Sequence, residues 1–510
     1  MNAAEISVLH HALVGAAEEM GEALKRAAFS PNIKERQDYS CALFDAKGRL
    51  LAQAAHLPVH LGSMPASVQA VIASMSLGQG EVAVVNDPYE GGTHLPDLTV
   101  VVPIFDGKLI GYAANRAHHA DIGGAAPGSM APQNDLIAEG LVIPPTLLRT
   151  AKGARTQAWR LILANTRTPL ERDGDLGAQV AACDRAGARL AEIRRRHGKS
   201  YDKLCAALQR HSRLLIQASL MRLKPGVYEA DDFLDDDGAG TTDIPVRVTL
   251  TVARDRLTFD FTGSAPQVRG GVNAVRAVTQ SAAYYAALCI ADPRPPINAG
   301  CFECIEVIAP QGTVVNAKRP APVAGGNVET SQRIVDICLT ALAQAVPGKV
   351  PANAQGTMNN LTIGGGGFTY YETIAGGYGG GPARGGASAT HSHMTNTLNT
   401  PVEALEHAYP LRVDEYALRD GSSGAGRHPG GEGVIRRVRA LTRAQFALLA
   451  ERRRRGPAGA QGGTAGAPGL DRVIRKDGSV EALSPKCSGT LAAGDAIEIQ
   501  TPGGGGYGQP

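Results

Sequence analysis

The chain has 510 residues, 43% of them apolar, and a formal net charge of +3. That is material for about three domains with full-sized cores, and a charge this small argues against a dedicated nucleic-acid binder, which would carry a basic face. No stretch approaches the ~18 apolar residues of a membrane span, and the first segment has carboxylates among its apolar residues, unlike a secretory signal. The expected setting is therefore soluble and cytoplasmic.

Residues 4–28 carry Ile6, Leu9, Leu13, Ala16, Met20 and Leu24 at helical spacing, which predicts an amphipathic opening helix. "DYSCALFDAKGRLLAQ" reads as two short strands joined at Ala46-Lys47-Gly48. "PASVQAVIASM" reads as helix, and "EVAVVND" and "LTVVVPIF" as buried strands, because β-branched runs end in turn residues. A long helical stretch covers 173–222, with a break at Gly198-Lys199 and an end at Pro225-Gly226. The period then changes to two, and "VRVTLTVARDRLTFDFTG" predicts a hairpin around Arg254-Asp255. "SQRIVDICLTALAQAV" is a last helix before Pro347-Gly348.

Glycine is over-represented, with 62 residues where ~7% is typical, and much of the excess follows residue 362. The architecture read from this pattern is mixed α and β (α+β). A helix-containing N-terminal portion, 1–225, precedes a β-rich central portion, 226–350, and a Gly-rich, β-dominated portion, 351–510. Eight scattered cysteines form no disulfide framework and read as reduced. Cys301 and Cys304 make a lone C-x-x-C without the second pair that structural zinc needs.

Residues 86–107, "NDPYEGGTHLPDLTVVVPIFDG", place His94 and Asp97 at the mouth of a buried strand. If Asp106-Gly107 is a two-residue turn, Phe105 faces Lys108. Continued back, that register sets His94 opposite His119 and Asp97 opposite Arg116, with Cβ atoms ~5 Å apart. "GTHLPD" and "NRAHHADIGG" then meet, gathering His94, His118 and His119 with Asp97 and Asp121. Imidazoles and carboxylates together suit a divalent metal such as Zn, Mn or Fe(II), and open positions would favour catalysis over a closed structural site. Turn chemistry alone accounts for Asp87-Pro88 and Pro96-Asp97 taken singly. His56 and His60 flank Pro58, which argues against a helix there, and His391 and His393 would share one face of a strand; each pair reads as structural or as support for a site.

Nucleotide motifs are absent. "HGKS" has Ile193 where a P-loop requires Gly, the Gly runs lack a Lys-Ser/Thr, and no G-x-S-x-G elbow occurs. "ERRRRG" reads as a solvated or carboxylate-paired run.

"ERQDYSCALFD", "HLPVHLGSMP", "NDPYEGGTHLPDLTVVVPIF", "NRAHHADIGGAAPGSM" and "EGLVIPP" resemble the hydantoinase B/oxoprolinase family, as do "NTRTPLERDGDLGAQ", "GGNVETSQR", "HSHMTNTLNTPVEALE" and the final "TPGGGGYG". They follow the family's order from about residue 15 to 508. The resemblance implies a B subunit that works with a hydantoinase A-type ATPase, in an A–B hetero-oligomer that opens cyclic amides such as hydantoins, 5-oxoproline or lactams. ATP and Mg would be bound by that partner, which would phosphorylate the amide oxygen. It implies metal ligands at Asp38, His94, His118 and Asp121. The H-x-x-D spacing favours His118 where the hairpin register favours His119. Asp97, His119 and Glu139 are candidates for proton transfer. The alternatives are an ATP-dependent ketone carboxylase of the acetone carboxylase type and a non-catalytic scaffold subunit.

Overall fold

The computed structural model describes residues 3–54 and 57–510. The amphipathic period of the first segment becomes helix α1 (Ala3–Ala27), which buries Leu9, Leu13, Met20 and Leu24. Ser30 then caps the one-turn helix α2 (Pro31–Lys34) by accepting the Ile33 N–H, with proline at the first turn where its missing N–H costs nothing.

Strands β1 (Tyr39–Asp45) and β2 (Leu50–Gln53), helix α3 (Ser63–Ser74), and strands β3 (Val82–Val85), β4 (Asp97–Asp106) and β5 (Lys108–His118) follow. After the one-turn helix α4 (Leu136–Glu139), β6 (Thr146–Arg149) closes an antiparallel six-stranded sheet ordered β2-β1-β5-β4-β3-β6. Helices α5 (Gln157–Ala164), α6 (Pro169–His197) and α7 (Tyr201–Leu220) come next, a 3-10 turn at Gly198–Ser200 making the expected break. β4 is buried on both faces. One face packs Leu98, Val100 and Val102 with α1 and α6, and the other packs Val101 with Met64, Val68 and Val71 of α3. That double burial is why the strand reads as a continuous apolar run.

The register of the β4–β5 hairpin differs from the one expected. Asp106 pairs with Lys108 around Gly107 alone, and a bulge between Ile104 and Phe105 shifts the ladder once more. Asp97 therefore faces His118, and Arg116 faces Thr99. A bulge inserts one residue on one strand only, which no local residue signal announces.

The central stretch holds β7 (Gly226–Asp236), β8 (Thr242–Val252), β9 (Leu257–Asp260), helix α8 (Arg276–Cys289), β10 (Ile305–Ile308) and helix α9 (Ser331–Ala345). The strands form a sheet ordered β10-β9-β8-β7, with β10 parallel to β9. A π-helical turn, Gly326–Thr330, leads directly into α9. Two antiparallel sheets complete the chain. One is β12 (Phe368–Thr373), β11 (Asn360–Gly365), β15 (Ala444–Leu449) and β18 (Lys486–Leu491). The other is β13 (Leu411–Arg419), β14 (Gly433–Ala440), β19 (Ala496–Gln500), β16 (Leu470–Ile474) and β17 (Val480–Ala482). They share a core of Leu361, Ile363, Leu448, Val438 and Ile497.

The 351–510 portion is β-dominated as expected, with Gly364 and Gly365 inside β11, but the later glycine runs around 376–386 and 503–508 lie outside the named strands. Extended segments lie side by side and exchange backbone hydrogen bonds outside any ladder: Gly380 N–H donates to Gly505 O, Gly504 to Gly431 O, Gly431 to Tyr378 O and Gly424 to Gly504 O, at 2.8–2.9 Å. A Cβ at Gly504 would collide with the Tyr378 carbonyl oxygen, and one at Gly430 with that of Gly504. Backbones this close exclude every side chain, as at the axis of collagen. The arginine run is carboxylate-paired: Arg452 reaches Asp232 (2.7 Å) and Asp336 (2.6 Å), and Arg453 grips Asp471 through two nitrogens at 2.8 Å. Among the described residues, no helix is long and apolar enough to cross a membrane.

Candidate metal centre

The segment 86–97 is held by its own side chains. Asn86 Nδ2 donates to the carbonyls of Leu95 (2.8 Å) and Leu141 (2.9 Å), while its Oδ1 accepts the Ile143 N–H. Asp87 caps the 3-10 turn Pro88–Glu90 and pairs with Arg319. Gly91 turns with φ 92°, where a Cβ would also run into the Ala66 backbone. The chain is thereby delivered to His94 three residues before the sheet begins, and Asp97 N–H donates to His94 O at 3.2 Å.

His94, Asp97 and His118 offer ligand atoms that all lie within 4.8 Å of one another, and all three residues are buried. His94 Nε2 is 3.0 Å and His118 Nδ1 3.3 Å from Asp97 Oδ1. The other carboxylate oxygen accepts Thr93 Oγ1–H at 2.8 Å and lies 3.4 Å from His60 Nε2, whose Nδ1 meets Ser40 Oγ at 2.8 Å. Despite this proximity, both ring nitrogens of His94 and Nε2 of His118 are buried without an aligned hydrogen-bond partner. Orphaned nitrogens of this kind are costly in a protein interior. Burial alone would raise Asp97, but His94, His118 and His60 overcome it and hold its carboxyl well below the ordinary range. Burial lowers His118 and His60, with Asp97 opposing. An ionised carboxylate between imidazoles whose ring nitrogens lack aligned partners, with His118 held toward its neutral form, is the donor chemistry that metal ligation requires, so these residues fit a divalent ion.

The surroundings come from distant parts of the chain. Tyr371 of β12 stacks on the His118 ring with centroids 4.4 Å apart and 11° between planes. The Arg36 guanidinium stands 5.0 Å from the Tyr371 ring centre. Asp38 is buried, 3.6 Å from Arg36 Nη1, and its charge acts on both His118 and His60. Arg116 turns away, bonding Thr99 (2.8 Å), Ser63 (2.5 Å) and Ser67 (2.7 Å).

Other candidates lie elsewhere. Asp121, read from the resemblance as a ligand, has its carboxylate engaged by Gly123 N–H, Gly128 N–H and Arg167, whose Nη1 is 2.9 Å away. It is not among the clustered donors. His119, one residue past the end of β5, leaves the cluster and meets Gln179 Oε1 at 2.9 Å; burial, with Arg172, lowers it to about 4. Glu139 accepts the N–H groups of Val323 and Ala324 at 2.9–3.0 Å, and burial raises it to about 8. Asp97, expected to move protons, stands among the donors instead. His60 belongs to a 3-10 turn, Pro58–His60, and His56 lies outside the described residues. His391 and His393 sit in a loop, not a strand, with His393 at φ 55°. Cys301 and Cys304 are free thiols, Cys301 donating to Pro296 O. Sequence reasoning missed Tyr371, Arg36 and Thr93 near the centre; Thr93, inside "GTHLPD", and Arg36, inside "ERQDYSCALFD", had a local signal, and Tyr371 had none.

An α+β chain with a buried imidazole–carboxylate cluster at the mouth of a central hairpin is the class these observations define. The profile of the hydantoinase B/oxoprolinase family matches residues 2–510, and the chain belongs to that family. It is 36% identical to 5-oxoprolinase 1 of Arabidopsis thaliana over 99% of this chain and 42% of that one. It is 32% identical to a putative D-/L-hydantoinase B subunit of a Pseudomonas species, over 99% of this chain and 90% of the other. The chain thus spans about two fifths of the 5-oxoprolinase it matches. Its structure superposes on the ATP-dependent caprolactamase from Pseudomonas jessenii with a TM-score of 0.93 at 28% identity, covering 100% of this chain and 92% of that one. An acetone carboxylase shares the fold, with a TM-score of 0.90 at 20% identity over 98% and 76% of the two chains.

Proposed function

We propose that this chain is the ring-opening subunit of an ATP-dependent cyclic-amide hydrolase and acts with a hydantoinase A-type ATPase subunit. The observation that carries this reading is the convergence of His94, Asp97 and His118, with three buried imidazole nitrogens left without aligned hydrogen-bond partners. The names of its relatives, 5-oxoprolinase, hydantoinase and caprolactamase, all refer to cyclic amides.

His94, Asp97 and His118, with Asp38 beside them, would hold a divalent ion such as Zn, Mn or Fe, which would supply Lewis acidity and lower the pKa of a bound water toward about 7. The chain's own residues do the positioning. Thr93 and His60 fix the Asp97 carboxylate from its far oxygen, leaving Oδ1 toward the two imidazoles. Tyr371 sets the plane of His118. Gln179 supports the site from outside it, through His119. ATP and its Mg belong to the partner, which activates the amide oxygen by phosphorylation before water attacks the ring carbon.

The test is co-expression with the ATPase subunit, followed by metal analysis and measurement of ADP release with hydantoin, 5-oxoproline and lactams. About one divalent ion per chain is expected, lost together with ring opening in His94→Ala. A metal-free preparation that still opens a ring with its partner would overturn the reading, and bicarbonate-dependent ATP turnover with a ketone would replace it by carboxylation.

A further inference from the structure

A second concentration of unpartnered polar atoms lies across Tyr371 from the cluster. Glu329 sits on the π-helical turn and Gln332 in the first turn of α9, both with no solvent exposure. Glu329 Oε1 is occupied by the Met358 N–H (3.0 Å) and Asn360 Nδ2 (2.7 Å), while Oε2 has no aligned partner, although Thr357 lies beside the carboxylate. Gln332 Nε2 donates to Ser392 O at 3.1 Å, which fixes the amide's orientation and leaves Oε1 unpartnered. On the facing loop, Ser392 Oγ and both ring nitrogens of His391 are also buried without an aligned partner, with Asn399 beside the imidazole. Single π turns inside α-helices mark functional sites more often than chance allows, and clustered unsatisfied groups call for a ligand.

The connection to the metal centre is short. Asn360 Oδ1 accepts the Tyr371 hydroxyl at 2.8 Å, and the Tyr371 ring lies on His118. The Arg36 charge acts on both Tyr371 and His391.

The free atoms form two sets: carboxyl and amide oxygens that accept, and a hydroxyl and an imidazole that donate. A small ring locks its amide cis, so N–H and C=O leave from one edge, whereas an open-chain trans amide sends them opposite ways. We propose that Glu329 and Gln332, with His391 and Ser392, seat the amide edge of a cyclic amide, the two side-chain oxygens accepting its N–H and the hydroxyl and imidazole donating to its C=O. This deepens, and rests on, the reading of the chain as a ring-opening subunit.

Calorimetry of the full chain with 2-pyrrolidinone and ε-caprolactam, their N-methyl forms, and open-chain N-methylacetamide tests it. The N–H rings are expected to bind about tenfold more tightly than the N-methyl rings and the open amide, because a lost partner leaves buried groups unsatisfied. Ser392→Ala should keep the unfolding temperature, since its Oγ bonds nothing in the protein, and should weaken the N–H rings about tenfold. Equal binding of N–H and N-methyl rings, unchanged ring affinity in Ser392→Ala, or no ring binding at all would each overturn the seat. The comparison of rings on the unaltered chain decides even if the variant unfolds. The assay reads binding, not turnover, so the two readings fail separately. A chain that holds metal but ignores the ring N–H loses only the seat; one that discriminates rings yet holds no metal loses only the metal reading.

Discussion

Tyr371 lies flat on His118, ring centroids 4.4 Å apart and planes 11° from parallel. The two residues come from different sheets, so the C-terminal β-structure fixes an imidazole of the N-terminal one. Groups that orient a metal-ligating histidine typically change metal affinity 10–100-fold when removed. Tyr371→Ala should lower affinity by at least about tenfold and destabilise the fold by about 3 kcal/mol through the cavity. Tyr371→Phe keeps the stack, loses the Asn360 bond at a cost of about 1 kcal/mol, and should hold metal normally. Metal titration beside thermal unfolding checks both.

Asp97 and Asp121 are separated by the same pair of measurements. Asp97→Asn removes the carboxylate between the imidazoles, so metal content should fall to background. Asp121→Asn should leave metal content unchanged and lower stability by about 2 kcal/mol, because it breaks a buried ion pair with Arg167. If Asp121→Asn folds normally and loses metal, the placement of the ligands is wrong.

Acid stability should follow Asp232. Burial pushes this carboxyl up, but Arg333 (3.0 Å) and Arg452 (2.7 Å) win and hold it at about 2. Its folded value lies below the unfolded one, so its contribution is present above about pH 4 and is lost as pH falls toward 2. The amount is about 2 kcal/mol. Asp232→Asn should therefore be less stable than the parent at neutral pH and should converge on it near pH 2, read by denaturant unfolding across that range.

Glycine substitutions should divide sharply by location. Gly504→Ala sets a methyl against the Tyr378 carbonyl inside the bundle of extended segments and should cost several kcal/mol, about as much as a large core defect. Gly177→Ala, on α6 with open space around the added Cβ, should stabilise by up to about 1 kcal/mol. Matched unfolding curves of the two variants decide the matter.

Much of the fold was legible because its elements are locally consistent. The opening helix, the paired helices α6 and α7 around Gly198, the hairpin β8–β9 and helix α9 all rest on period and turn residues within a dozen positions. His94, Asp97 and His118 were named as one neighbourhood from the hairpin alone. Their pairing was not legible, because a turn at Gly107 alone and the bulge at Ile104–Phe105 each shift the ladder by one residue, together moving Asp97 from Arg116 to His118. Asp121 carries the same chemistry as Asp97 in the sequence, yet Arg167 and two backbone N–H groups occupy it.

The amino-acid order by itself determined helices α1, α3, α6, α7 and α9, the strands of the N-terminal hairpins and of β8–β9, the location of the donor-rich hairpin and the family. Those depend on periodicity, on turn chemistry and on the succession of motifs, which are properties of neighbours along the chain. Tertiary structure alone decided which imidazole meets which carboxylate, that Tyr371 and Arg36 close over them, and that the glycine runs pack as a backbone bundle. Register, burial and contacts between distant segments set those outcomes, and each depends on where two stretches of backbone come to lie against each other in space.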